Sequence, residues 1–119
     1  MTLDIPHPLP GFNDPTTKGT KILSGVNYAS AGSGILDSTT FNITVIPLNQ
    51  QITNFEEGTP LELRSLVGSN LSSYLSGSIF VFNTGGNDYS DHCFQETRCY
   101  LPEFTRLLIG NFTQQLKHL

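Results

Sequence analysis

Hydrophobic positions along this chain change their spacing several times, and each change predicts an element. Residues 1–20 carry Pro6, Pro8, Pro10 and Pro15 with Gly11 and Gly19. Prolines at that density forbid a long helix and predict an extended lead-in. Val26 and Tyr28 alternate between Ser24 and Ala29, which predicts a short strand running into the turn Ala31-Gly32-Ser33-Gly34. From Pro47 the period lengthens. Val45, Leu48, Ile52 and Phe55 fall on one helical face, with Pro47 suited to the first turn and Gly58-Thr59-Pro60 to its end.

Leu63, Leu66, Val67, Leu71, Tyr74 and Leu75 continue as a second helical stripe with an interruption expected at Gly68. Ile79-Phe80-Val81-Phe82 then breaks the pattern. It is apolar without alternation and rich in β-formers, as a strand covered on both faces would be. It leads into a second glycine turn, Thr84-Gly85-Gly86-Asn87-Asp88. Last, Leu101, Phe104, Leu108, Phe112, Gln115 and Leu119 trace an amphipathic helix opened by Pro102 and widened by Leu107 and Leu116. Strand, turn, helices, strand, turn, helix is the order of an α/β fold with a parallel sheet. Chemistry in such sheets gathers where the strands end, which is where both glycine turns fall.

Composition narrows the function classes. Charged residues make up 13% of the chain, the net charge is −4, and the six Lys and Arg residues are scattered. Nothing there would neutralise a phosphate backbone, so nucleic acid is not an expected partner. The longest apolar run, residues 79–82, is far too short to span a bilayer. Cys93 and Cys99 lie six apart, suited to a local disulfide in an oxidising compartment or to free thiols in the cytosol; neither a CxxC nor a His partner points to metal. Three sequons, at Asn42, Asn70 and Asn111, are compatible with glycosylation. The first eight residues have neither the basic start nor the apolar core of a signal peptide, which reads as cytoplasmic for a chain made as written. No cofactor is expected.

Two segments carry a family resemblance. Gly25-Val26-Asn27-Tyr28-Ala29-Ser30-Ala31-Gly32-Ser33-Gly34-Ile35-Leu36-Asp37 resembles the second conserved block of plant GDSL esterases. Ser78-Ile79-Phe80-Val81-Phe82-Asn83-Thr84-Gly85-Gly86-Asn87-Asp88-Tyr89 resembles the third. Leu48–Phe55 and Leu101–Leu119 are similar to the helices that follow each block, so the resemblance covers nearly all of residues 15–119. It implies part of a three-layer α/β/α, flavodoxin-like SGNH-hydrolase domain over residues 1–119, incomplete and without a second domain. It also implies secretion, ester or lipid substrates, and hydrolysis through an acyl-enzyme. Gly32 matches the family glycine whose backbone N–H faces the oxyanion, and Asn87 the asparagine whose amide does so. Such preorganised donors stabilise the tetrahedral intermediate of ester cleavage.

The family's Gly-Asp-Ser nucleophile run and its Asp-x-x-His have no counterpart among these residues. His7 lacks an Asp three residues before it, His92 follows Asp88 by four and Asp91 by one, and His118 is preceded by Gln115. Without nucleophile and base, an oxyanion hole stabilises a charge nothing else in the chain generates. The expectation is therefore a chain inactive by itself, marginally stable and prone to non-specific self-association. A non-catalytic acyl- or glycan-binding module is the alternative. A dinucleotide loop at Gly32-Ser33-Gly34 is disfavoured because Asp37 stands where its third glycine belongs. Asp88 is expected to cap a turn, and His92 to be an exposed loop residue.

Overall fold

A computed structural model describes residues 8–40, 44–95 and 99–119. Within them lie four α-helices: α1 Leu48–Val67, α2 Leu71–Ser76, α3 Gly86–His92 and α4 Leu101–Leu116. Two 3-10 turns, Gly19–Ser24 and Gly68–Asn70, accompany them. The residues group into two compact units, one of Met1–Tyr28 with Asn54–Phe80 and one of Ala29–Thr53 with Val81–Leu119.

The first unit is built on aromatic contacts. Phe12 stacks on Tyr28 at 5.2 Å, Tyr28 meets Phe55 edge-on at 6.0 Å, and Phe55 meets Phe80 edge-on at 5.2 Å. Each such pair adds about 0.5–1.5 kcal/mol beyond the area it buries. The same cluster explains why α1 does not stop where the sequence suggests. Gly58-Thr59-Pro60 lies inside the helix, although Pro60 removes one intrahelical bond. Phe12 packs so closely on Gly58 that an added Cβ would sit 3.2 Å from its ring. The Tyr28 hydroxyl hydrogen-bonds Thr59 Oγ1, and Leu63 is buried one turn on. Tertiary packing overrides the local breaker. The interruption expected at Gly68 is present, with Gly68 in the left-handed region at φ +58°.

The α/β expectation is not met: among the described residues there is no sheet. Ser24 closes a 3-10 turn, and Asn27 forms only an isolated parallel bridge with Gly11. Asn27 N–H donates to Pro10 O and Phe12 N–H to Asn27 O, both at 2.8 Å. Residues 79–82 belong to no helix, and none of their backbone groups pairs with another described backbone group. Ile79 and Val81 are 66% and 86% exposed, so this run is not covered on both faces. β-propensity and apolar character specify an extended backbone, but a strand is defined by a partner's hydrogen bonds. That information is non-local, and local patterning overstated it.

In the second unit, Ile35, Leu48, Ile52, Cys93 and Leu108 form the buried apolar set. Phe82 meets Phe112 at 5.5 Å, and Tyr89 meets Phe104 at 5.4 Å. The Tyr89 hydroxyl also bonds Thr105 Oγ1 at 2.6 Å, tying α3 to α4. Cys93 and Cys99 are paired as a disulfide, one of the two states their spacing allows. The amphipathic C-terminal helix is borne out as α4, with Pro102 in its first turn and no side-chain cap at Tyr100. Its stripe is only partly core: Leu108 is buried, whereas Leu101, Leu107 and Leu116 are exposed. No helix among the described residues is long and apolar enough to cross a membrane.

Candidate functional site

Both glycine turns lie in the second unit, and one carboxylate joins them. Gly85, at φ +105°, takes a left-handed conformation immediately before α3, and this launches the helix at Gly86. Asn87 and Asp88 thus occupy its first turn. Asp88 is 0% exposed. Its Oδ2 accepts the Ile35 N–H at 2.8 Å, and its Oδ1 accepts the Leu36 N–H at 2.9 Å and the Thr39 hydroxyl at 2.6 Å. A buried carboxylate is tolerated when donors converge on it in this way. Gly34 makes the approach possible, because a Cβ there would fall 2.6 Å from Asp88 Cγ. Instead of capping its own turn, as expected, Asp88 clasps the far side of the first glycine turn.

Gly32 stands at the front of that turn with φ +86°, a backbone that favours glycine. The Ser33 N–H donates to Ser30 O at 3.1 Å, whereas the half-exposed Gly32 N–H has no backbone or side-chain acceptor among the described residues. The Asn87 amide donates from Nδ2 to Ser33 O at 2.9 Å. The two residues singled out by sequence thus flank one peptide segment. Ser33 O fixes which end of the Asn87 amide faces the turn and leaves its second N–H uncommitted on an exposed residue. The Asn87 amide therefore rests on the residue directly after Gly32.

Three supporting residues were not legible as such. Gln51 Nε2 donates to Ser33 Oγ at 3.0 Å and to Ile46 O at 2.8 Å. Gln115, 5% exposed, donates to Ile35 O at 2.8 Å and Asn49 Oδ1 at 3.0 Å. Thr39 is buried against Asp88. The signal for Gln115 was present in the sequence, since a polar residue in register with Leu108 and Phe112 needs a buried partner. Thr39 and Gln51 carried no comparable mark.

His92 is not a free loop residue but the last residue of α3, tilted against Phe104 at 6.1 Å. Its Nε2 lies 3.2 Å from Thr39 Oγ1 and 3.3 Å from Ser38 Oγ. Thr39 gives its single hydroxyl proton to Asp88, so Nε2 is the donor to Thr39. Asp91 accepts from the Thr40 backbone and hydroxyl instead of orienting His92. Among the described residues no cluster of three His, Cys, Asp or Glu side chains could ligate a metal. Two open cavities, one beside Arg64, Leu71 and Leu75 and one beside Phe12, Val26 and Glu62, are lined by neither Gly32 nor Asn87.

No protein-family model matches the chain, and no solved structure matches it. Curated relatives do. The chain is 41% identical to GDSL esterase/lipase At1g71250 of Arabidopsis thaliana over 96% of its own length and 32% of the relative's. It is 36% identical to GDSL esterase/lipase At5g08460 over 98% of its length, and 31% identical to GDSL esterase/lipase At5g18430 over 94%, both of the same plant. The chain spans about a third of the length of these relatives. Alignment across nearly all of the chain, including both glycine turns and the residues that join them, places it in the plant GDSL esterase/lipase family.

Proposed function

We propose that this chain supplies the oxyanion-hole part of a carboxylic ester hydrolase, with Gly32 N–H and Asn87 Nδ2–H as the two donors. The observation that carries this reading is the Asn87–Ser33 bond of 2.9 Å, which holds the amide against the left-handed Gly32 turn. Charge develops on the carbonyl oxygen as the tetrahedral intermediate forms, and donors already in place need not reorganise to meet it. Asp88 supports the arrangement from behind, by tying Ile35, Leu36 and Thr39 to the first turn of α3. The serine nucleophile and the Asp-x-x-His that would complete an acyl-enzyme cycle have no counterpart in these residues, and His92 is committed elsewhere.

The chain by itself is therefore inactive in this reading. The Cys93–Cys99 disulfide supports a secretory, oxidising setting. The exposed Ile79, Val81 and Phe94 side chains favour self-association of the isolated chain. The test is hydrolysis of a short-chain p-nitrophenyl ester by the purified chain and by its Asn87→Ala variant. Both should match the buffer rate; Asn87-dependent turnover would require a nucleophile in this chain and defeat the reading.

A further inference from the structure

We propose that Asn70 is an N-glycan acceptor. Of the three sequons, the one at Asn42 falls outside the described residues, which leaves Asn70-Leu71-Ser72 and Asn111-Phe112-Thr113 to compare. Both have the required side chains, but they differ in what those side chains are doing.

Asn70 is the last residue of the 3-10 turn Gly68–Asn70 and directly precedes α2. It is exposed, as are Ser69 and Ser72, and its amide makes no capping bond to the helix. The backbone on either side of it is short and irregular, although Tyr74 of α2 donates its hydroxyl to Leu23 O at 2.7 Å. Gly68 before it is left-handed with open space at its α-carbon, and α2 after it has six residues. A helix that short is marginal without packing, so residues 70–72 can open into the turn an acceptor must present. Asn111 differs on each count. It lies within the 16-residue α4, its Nδ2 is given to Leu107 O at 3.0 Å, and Phe112 beside it packs on Phe82. In a regular helix positions i and i+2 do not face each other, which separates the Asn111 amide from the Thr113 hydroxyl.

Acceptance needs an oxidising secretory compartment, a setting the Cys93–Cys99 disulfide fits. The co-reactant is a lipid-pyrophosphate-linked oligosaccharide. Asn70 Nδ2 bonds to the anomeric carbon of its first sugar, the bond from that carbon to the pyrophosphate oxygen breaks, and the lipid pyrophosphate leaves. The amide nitrogen gives up one proton to the transferase base. The Ser72 hydroxyl is the second recognition element of the sequon.

The test expresses the full chain behind a cleavable secretion signal in plant cells and reads electrophoretic mobility before and after peptide-N-glycosidase treatment. Peptide mapping then locates the asparagine that the treatment converts to aspartate. The proposal expects conversion at residue 70, loss of one mobility step in both Asn70→Gln and Ser72→Ala, and retention of that step in Ser72→Thr. A secreted wild-type chain without conversion at residue 70, or an Asn70→Gln variant with wild-type mobility, would overturn it. These substitutions are on exposed residues, so secretion itself reports that the variants fold.

Discussion

The Asn87 side-chain amide donates to the main-chain carbonyl of Ser33 across 2.9 Å, joining two glycine turns 54 residues apart. The bond is local in space and remote in sequence, and it holds the Asn87 amide against the residue that follows Gly32. Everything else at the site keeps that relationship in place.

Asp88 is the first such support. Truncating it to Ala would leave the Ile35 and Leu36 N–H groups and the Thr39 hydroxyl without their acceptor. Each buried donor left unpaired costs about 1–3 kcal/mol, so a loss on the order of 3 kcal/mol or more is expected in denaturant unfolding. Gly34→Ala should also destabilise, by about 1–3 kcal/mol, because its Cβ would collide with the same carboxylate. An Asp88→Ala chain of wild-type stability would show that the clasp does not matter.

Tyr28 gives a pH dependence. Its burial raises the hydroxyl pKa above the ordinary 10.0, with the Thr59 hydrogen bond opposing part of that rise. The unfolded chain then loses this proton before the folded one does. Stability from the neutral form is complete below pH 10 and declines as pH rises through the higher folded value. The melting temperature should therefore fall above pH 10 more steeply for the wild type than for Tyr28→Phe. Identical slopes would remove Tyr28 from the account.

The Cys93–Cys99 disulfide closes a short loop directly after α3. Chain-entropy reasoning puts such a closure at about 2 kcal/mol. Reduction, or the Cys93→Ala/Cys99→Ala double change, should lower stability by that order in denaturant unfolding. Cys93 is also buried, so the double variant should lose slightly more than the reduced wild type. No change on reduction would mean the crosslink does not stabilise the chain.

How much of this was legible in the sequence depends on how far apart the cooperating residues are. α4 follows from apolar spacing within one segment, and the break at Gly68 from a residue that enters the left-handed region at little cost. The two glycine turns could be placed because their chemistry is written into a few adjacent residues. The continuation of α1 through Pro60 could not, since it depends on Phe12 and Tyr28 more than 30 residues earlier. The strands expected over 24–29 and 79–82 failed for the same reason: pairing belongs to two segments, and local pattern describes one. Asp88 was expected to cap a turn, and its role as the clasp between turns was not legible. Its partners at 35, 36 and 39 become neighbours only in the fold.

The central claim is that Gly32 and Asn87 form an oxyanion hole when the rest of a hydrolase surrounds them. The direct measurement replaces the matching segment of the Arabidopsis relative At1g71250 with this chain and follows p-nitrophenyl ester hydrolysis. An active chimera is expected, with kcat falling about 100- to 1000-fold on Asn87→Ala and little change in KM. An inactive chimera, or one whose kcat is indifferent to Asn87→Ala, would contradict it.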